Sequence, residues 1–258
     1  MKAARLRAFR AAGQGLRATL QAPWLLLGFS LSGGGLQLLG WGLLLAGDRS
    51  DSGVLAAVLN SAGLLLQAGS LLWLVEGLTR AGLALTAGTP LSRSQLYQWN
   101  GAACFDLLRG LVRLLACLAL TALISFLSWS LVLLVAPAVQ MVPGLLCLAA
   151  WIGLVLSQLF NPCLVLSSSL RPSLAFRQGF VLLEHHWGGL LLLSGLLLPL
   201  LLSPLLLGLL AEAARPGLGL PITALSLLAL LPLLATCICA AYRQLEPQRA
   251  GRLSRSDR

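Results

Sequence analysis

The stretch LVLLVAPAVQMVPGLLCL, residues 131–148, lies inside an uncharged run from Leu114 to Leu170, 57 residues long. A helix crosses the hydrocarbon core of a bilayer with about 20 residues. One helix cannot use that run. Pro137 and Pro143 interrupt the helical ladder, and Gly144 favours a turn. The run therefore reads as two spans, roughly 112–136 and 144–168.

Outward from this break, the other uncharged stretches are Ala22–Gly47, Ser52–Val75, Trp187–Ala211 and Leu218–Tyr242. Each is long enough for one span, which gives six. Composition agrees: the chain is 58% apolar and only 10% charged, whereas soluble domains carry about 25% charge. A water-soluble fold could not cover its surface. A transmembrane barrel needs alternating apolar and polar residues, and these runs are continuous. The expected fold is all-α and polytopic, a single membrane domain over residues 1–258.

Charge gives an orientation. Sixteen of the Lys and Arg residues fall in the amino-terminal tail, the two even connections and the carboxyl tail at 243–258. Only Arg49 and Arg215 fall on the other side. Positive loops stay inside, so both termini are expected in the cytoplasm of a cell carrying this chain in its inner or plasma membrane. Trp24, Trp73 and Trp187 then mark inner ends, and Trp41 and Trp129 outer ends, as an interfacial belt predicts. The first apolar stretch is longer than a signal-peptide core and reads as an uncleaved span. The net charge of +10 points to anionic lipid head groups rather than nucleic acid.

A repeat follows. KAARLRAFRAAGQGLRATLQ, LSRSQLYQWNGAACFDLLRG and RPSLAFRQGFVLLEHH each precede a pair of spans. The pseudo-repeats cover about 1–88, 89–169 and 170–245. Phe9, Gly13, Leu16 and Leu20 have helical-face spacing, as do Phe176, Phe180, Leu183 and Trp187, and Tyr97, Gly101, Cys104 and Leu108. Ser92-x-x-Gln95 forms a capping-box pattern. The prediction is three hairpins, each preceded by a cytoplasmic interfacial amphipathic helix whose basic residues, among them Arg7, Arg10, Arg17 and Arg177, face lipid head groups.

Three such units, with SLAFRQGFVLLEHHW before the fifth span, resemble a group of bacterial six-span membrane proteins. That group is similar to the membrane domain of some glycerophosphodiester phosphodiesterases. The resemblance is architectural. It implies a membrane-embedded module and carries no catalytic phosphodiesterase domain with it.

Chemistry-bearing residues are few. His185 and His186 are adjacent and point about 100° apart on a helix, so they do not form an i, i+4 metal pair. The cysteines have no CxxC spacing and read as small packing residues. No phosphate-binding loop or nucleophile elbow occurs. No metal, cofactor or catalytic set is therefore expected. Glu76 and Arg80, four residues apart, form a candidate interfacial ion pair. Asn60 with Gln67, and Gln158 with Asn161, form a candidate polar intramembrane face. Pro162 beside Asn161 marks a candidate broken helix of the kind that lines binding sites. The expectation is a non-catalytic integral membrane protein of accessory, scaffold or assembly type, in contact with lipid and with other membrane proteins. The alternative is a transporter or permease subunit for an uncharged or weakly polar solute.

Overall fold

The computed structural model describes residues 6–135, 141–168 and 171–256. Every regular element among them is an α-helix. In order these are α1 (Ala8–Gln21), α2 (Pro23–Asp48), α3 (Gly53–Thr86), α4 (Arg93–Tyr97), α5 (Gly101–Val135), α6 (Val142–Gln158), α7 (Asn161–Ser168), α8 (Pro172–Ala214) and α9 (Gly219–Ser256). Six helical stretches are long and apolar enough to cross a membrane: Pro23–Asp48, Gly53–Thr86, Gly101–Leu134, Val142–Ser167, Pro172–Ala214 and Gly219–Leu245.

Local sequence explains the ends. The turn between the two central spans falls largely outside the described residues, Pro137 included. Pro143 occupies the first turn of α6, where a missing N–H costs nothing. Helix α3 ends in a Schellman motif. Gly88 takes a left-handed φ of 76°, Thr89 N–H donates to the Ala84 carbonyl at 3.1 Å, and Gly88 N–H donates to that of Leu85 at 3.0 Å. The Ser92/Gln95 capping box opens α4 as the sequence predicts. Between α8 and α9, Gly217 has φ 90°. The Glu212 carboxylate accepts there from the N–H groups of Gly217 and Gly219 at 3.0 and 2.8 Å.

Consecutive long helices pack in pairs, α2 on α3, α5 on α6, and α8 on α9. Helices α3 and α9 also pack on each other and hold the pairs together. The core is concentrated at the end of the bundle where α1, α4 and the start of α8 lie. Phe160, Cys163, Leu164, Ala175, Cys239 and Tyr242 form its larger cluster. Phe29, Leu74, Leu78, Ala81 and Leu96 form the smaller one. Away from that end the helices present leucine outward. No residue in the most apolar window of α5 is buried, and Leu120, Phe126, Leu131 and Leu134 are all exposed. Water would not tolerate such a surface; hydrocarbon would.

Two details depart from the periodicity reading. Tyr97 and Gly101 do not share a helical face, because Gln98–Asn100 separates α4 from α5. Asn100 ends that break by accepting from Ala103 N–H at 3.2 Å, an N-cap role. Trp187 leaves the Phe176/Phe180 stripe, because His186 has non-helical angles, φ −132° and ψ 21°, and kinks α8. The glutamate–histidine–histidine–tryptophan cluster is thus the joint between two legs of one helix. Phe9, Leu16 and Leu20 do share one face of α1, which points away from the bundle, while the small residues Ala8, Ala11, Gly15 and Ala18 face inward.

Candidate functional site

The candidate polar residues fall in three separate places. Glu76 is the buried charge among the described residues, with no exposed surface. Its carboxylate pairs with Arg80 one turn along α3 and accepts from the Cys104 thiol of α5 at 3.2 Å. Arg80 also donates to the backbone carbonyls of Gln95 and Gln98 at 2.8 and 3.1 Å. These are the orphan acceptors at the end of α4. The pair forms as the i, i+4 spacing requires, and it ties three elements, α3, α4 and α5.

Asn60 and Gln67 share one face of α3, and that face lies on glycines of α2. A Cβ at Gly40 would lie 2.8 Å from Gln67 Cγ, one at Gly47 would meet the Asn60 amide, and one at Gly33 would meet Leu74. Gly33, Gly40 and Gly47 recur every seven residues, opposite Leu74, Gln67 and Asn60 counted backwards. The reverse also holds: Gly63 receives Leu44, and Gly77 receives Phe29. This is a heptad seam in which each backbone groove accepts the facing side chain, as small residues allow in apolar surroundings. Gln37 adds an amide donor to the Gln67 carbonyl at 2.9 Å. The sequence shows Asn60 and Gln67 on one face; the glycine series opposite them is the part of the pattern that reasoning from polar residues missed.

Gln158 and Asn161 flank the junction of α6 and α7. Pro162 has no N–H to give the Gln158 carbonyl, and Leu159 and Phe160 form a turn there. The two side chains face different neighbours. Gln158 donates to Ser157 Oγ at 3.0 Å and to the Phe176 carbonyl of α8 at 3.2 Å. Asn161 abuts Gly110 of α5, where a Cβ would lie 2.6 Å from its amide nitrogen. The side-chain oxygens of Asn60, Gln158 and Asn161 are buried without a hydrogen-bond partner. Asn60 and Gln67 are not brought together with Gln158 and Asn161: one pair sits between α2 and α3, the other against α5 and α8.

The basic residues Arg7, Arg10, Arg17 and Arg177 are all exposed. Arg17 lines a cleft of about 370 Å³ with Gln14, Gln21, Thr86, Arg243 and Gln244, between α1, α3 and α9. Helix α1 is pinned there by Thr19 to Thr236 at 2.7 Å and by Gln14 to Gln244 at 3.2 Å. No family model, curated protein or solved structure matches this chain. Among the described residues, no three His, Cys, Asp or Glu side chains gather as a metal-ligand set. The interactions these polar residues make are ion pairing and amide hydrogen bonding.

Proposed function

We propose that this chain is a non-catalytic integral membrane protein of accessory, scaffold or assembly type. In this reading it lies in an inner or plasma membrane, with both termini in the cytoplasm. It forms three hairpins, each entered by a cytoplasmic interfacial helix, and its partners are anionic lipids and other membrane proteins. The observation that carries the proposal is the placing of Asn60 and Gln67: their side chains pack into the α2–α3 seam, apart from Gln158 and Asn161. The Glu76–Arg80 pair likewise anchors α4. The outward Phe9, Leu16 and Leu20 of α1, beside exposed Arg10 and Arg17, suit a helix lying in the head-group region.

The test is native co-purification from the membrane followed by mass spectrometry. A stable protein partner is expected, and it should be lost when Phe9, Leu16 and Leu20 are replaced together by serine. An intact, partner-free protein that moves solute across liposomes would overturn the proposal. The second reading, a transporter or permease subunit, is favoured by one observation. The unpartnered oxygens of Gln158 and Asn161 flank a helix break, and broken helices can line solute sites. On that reading Asn161→Leu abolishes flux while insertion is kept; on the first, there is no flux to lose.

A further inference from the structure

A second cavity, about 790 Å³, opens where α1 turns into α2 and α4 lies alongside. Gln21, Trp24, Gly28, Arg93, Ser94 and Tyr97 line it. Its volume falls in the range of about 300–1,000 Å³ typical of small-molecule sites. The lining has two characters. Arg93, Ser94 and Gln21 form a polar rim that offers donors and a positive charge. Trp24, Leu25 and Gly28 form an apolar wall running into the first span. No carboxylate lines the cavity.

The rim is fixed in position. Helix α4 is anchored by fully buried Leu96, by its capping box and by Arg80 at its closing carbonyls. Arg93, its first residue, is held at the mouth and forms no ion pair among the described residues. Tyr97 is set by an aromatic triad, 5.3 Å from Phe29 and 5.9 Å from Trp73 between ring centroids. Its hydroxyl lies 3.4 Å from Ser32 Oγ, one turn deeper along α2 than Gly28. Helix α2 begins at this cavity with Pro23 and without a side-chain cap, which leaves the N–H groups of Trp24 and Leu25 without an intrahelical acceptor.

We propose that this cavity binds the phosphate head group of an anionic membrane phospholipid. Arg93 and Ser94 engage the phosphate, and the glycerol and acyl portion runs along Trp24 and Gly28. A rim with one positive charge and no carboxylate, beside an apolar wall, selects an amphiphile with a negative head. Free phosphate shares the head-group chemistry but leaves that wall uncovered. Trp24 is 84% exposed at the start of the first span, where an aromatic ring belongs at the head-group level. This inference rests on the membrane-module reading above and adds a defined lipid position to it.

The test uses the purified, delipidated full chain. Native mass spectrometry follows titration with phosphatidylglycerol, phosphatidylcholine or soluble glycerol 3-phosphate. One phosphatidylglycerol is expected to bind more tightly than phosphatidylcholine, with glycerol 3-phosphate weaker than either. Arg93→Ala should weaken phosphatidylglycerol about tenfold or more, the loss of a charge-assisted contact. Gly28→Leu should block the same site by filling it. A Cβ there meets only the Tyr97 hydroxyl at 3.9 Å, so the backbone accepts the change. Arg113→Ala, at an exposed position on α5, should bind as the parent does. Wild-type affinity in both Arg93→Ala and Gly28→Leu overturns the proposal, as does equal binding of the two lipids. Glycerol 3-phosphate binding as tightly as phosphatidylglycerol overturns the lipid assignment in favour of a free-phosphate site. Partner co-purification is read separately, so loss of the lipid effect leaves the accessory reading standing.

Discussion

A carboxylate with no exposed surface must be paired and hydrogen-bonded or it will take up a proton. Glu76 meets the condition with Arg80 on one side and the Cys104 thiol on the other. Breaking such a pair costs more than replacing it whole, because one charge is left without compensation. Arg80→Met should therefore lower stability in detergent by on the order of 3 kcal/mol. The double change Glu76→Met with Arg80→Met should recover most of that loss. Thermal unfolding of the purified variants checks both. A double variant as unstable as Arg80→Met alone would show that the pair's role lies in the α4 carbonyls rather than in charge balance. The pairing itself is legible from the four-residue spacing. That Arg80 also holds Gln95 and Gln98 is not, because it depends on α4 folding back on α3 through a turn whose geometry the spacing does not specify.

At the scale of the element, the α2–α3 seam separates glycines that matter from glycines that do not. Gly40 sits against Gln67 and the Gly63 backbone, whereas Gly35 and Gly42, on the same helix, have open space around a would-be Cβ. Gly40→Val should destabilise by about 1–3 kcal/mol, the usual cost of forcing volume into a packed interface. Gly35→Ala and Gly42→Ala should be neutral or stabilise slightly, since alanine is the better helix former. Unfolding of the three variants in one detergent tests the contrast. A Gly40→Val protein as stable as the parent would mean that the seam is looser than drawn. The seven-residue series Gly33, Gly40, Gly47 and Gly63, Ser70, Gly77 stands in the sequence and could have revealed the register. It goes unseen because glycine in an apolar run looks like composition until a second series is set against it. The Asn100 cap that divides α4 from α5 was equally open to reading. The His186 kink had no proline to announce it.

The whole molecule was legible in the number and order of its apolar spans and illegible in how tightly they gather. Charge-free length sets the number of spans, since about 20 residues reach across hydrocarbon and 57 do not fit in one crossing. Where the core sits does not follow, because leucine facing lipid and leucine facing a neighbouring helix satisfy the same transfer energy. Hence α5 carries a strongly apolar run and yet buries none of its most apolar window. The small residues are the better guide to contact: Ala8, Ala11, Gly15 and Ala18 turn α1 inward while its larger residues turn out. The proposed orientation across the membrane rests on the arginine asymmetry and carries the last prediction. Ser50, in the turn between α2 and α3, and Ser94, in α4, lie at opposite ends of the α2–α3 pair. If both termini lie in the cytoplasm, as proposed, Ser50→Cys should react with an impermeant maleimide added to intact cells. Ser94→Cys should react only after the membrane is opened. The native cysteines are buried or half-buried, so the parent chain gives a low background for both. Labelling of Ser94→Cys in intact cells would invert the topology. It would also move the Arg93 cavity to the outer leaflet, where the arginine count says it does not belong.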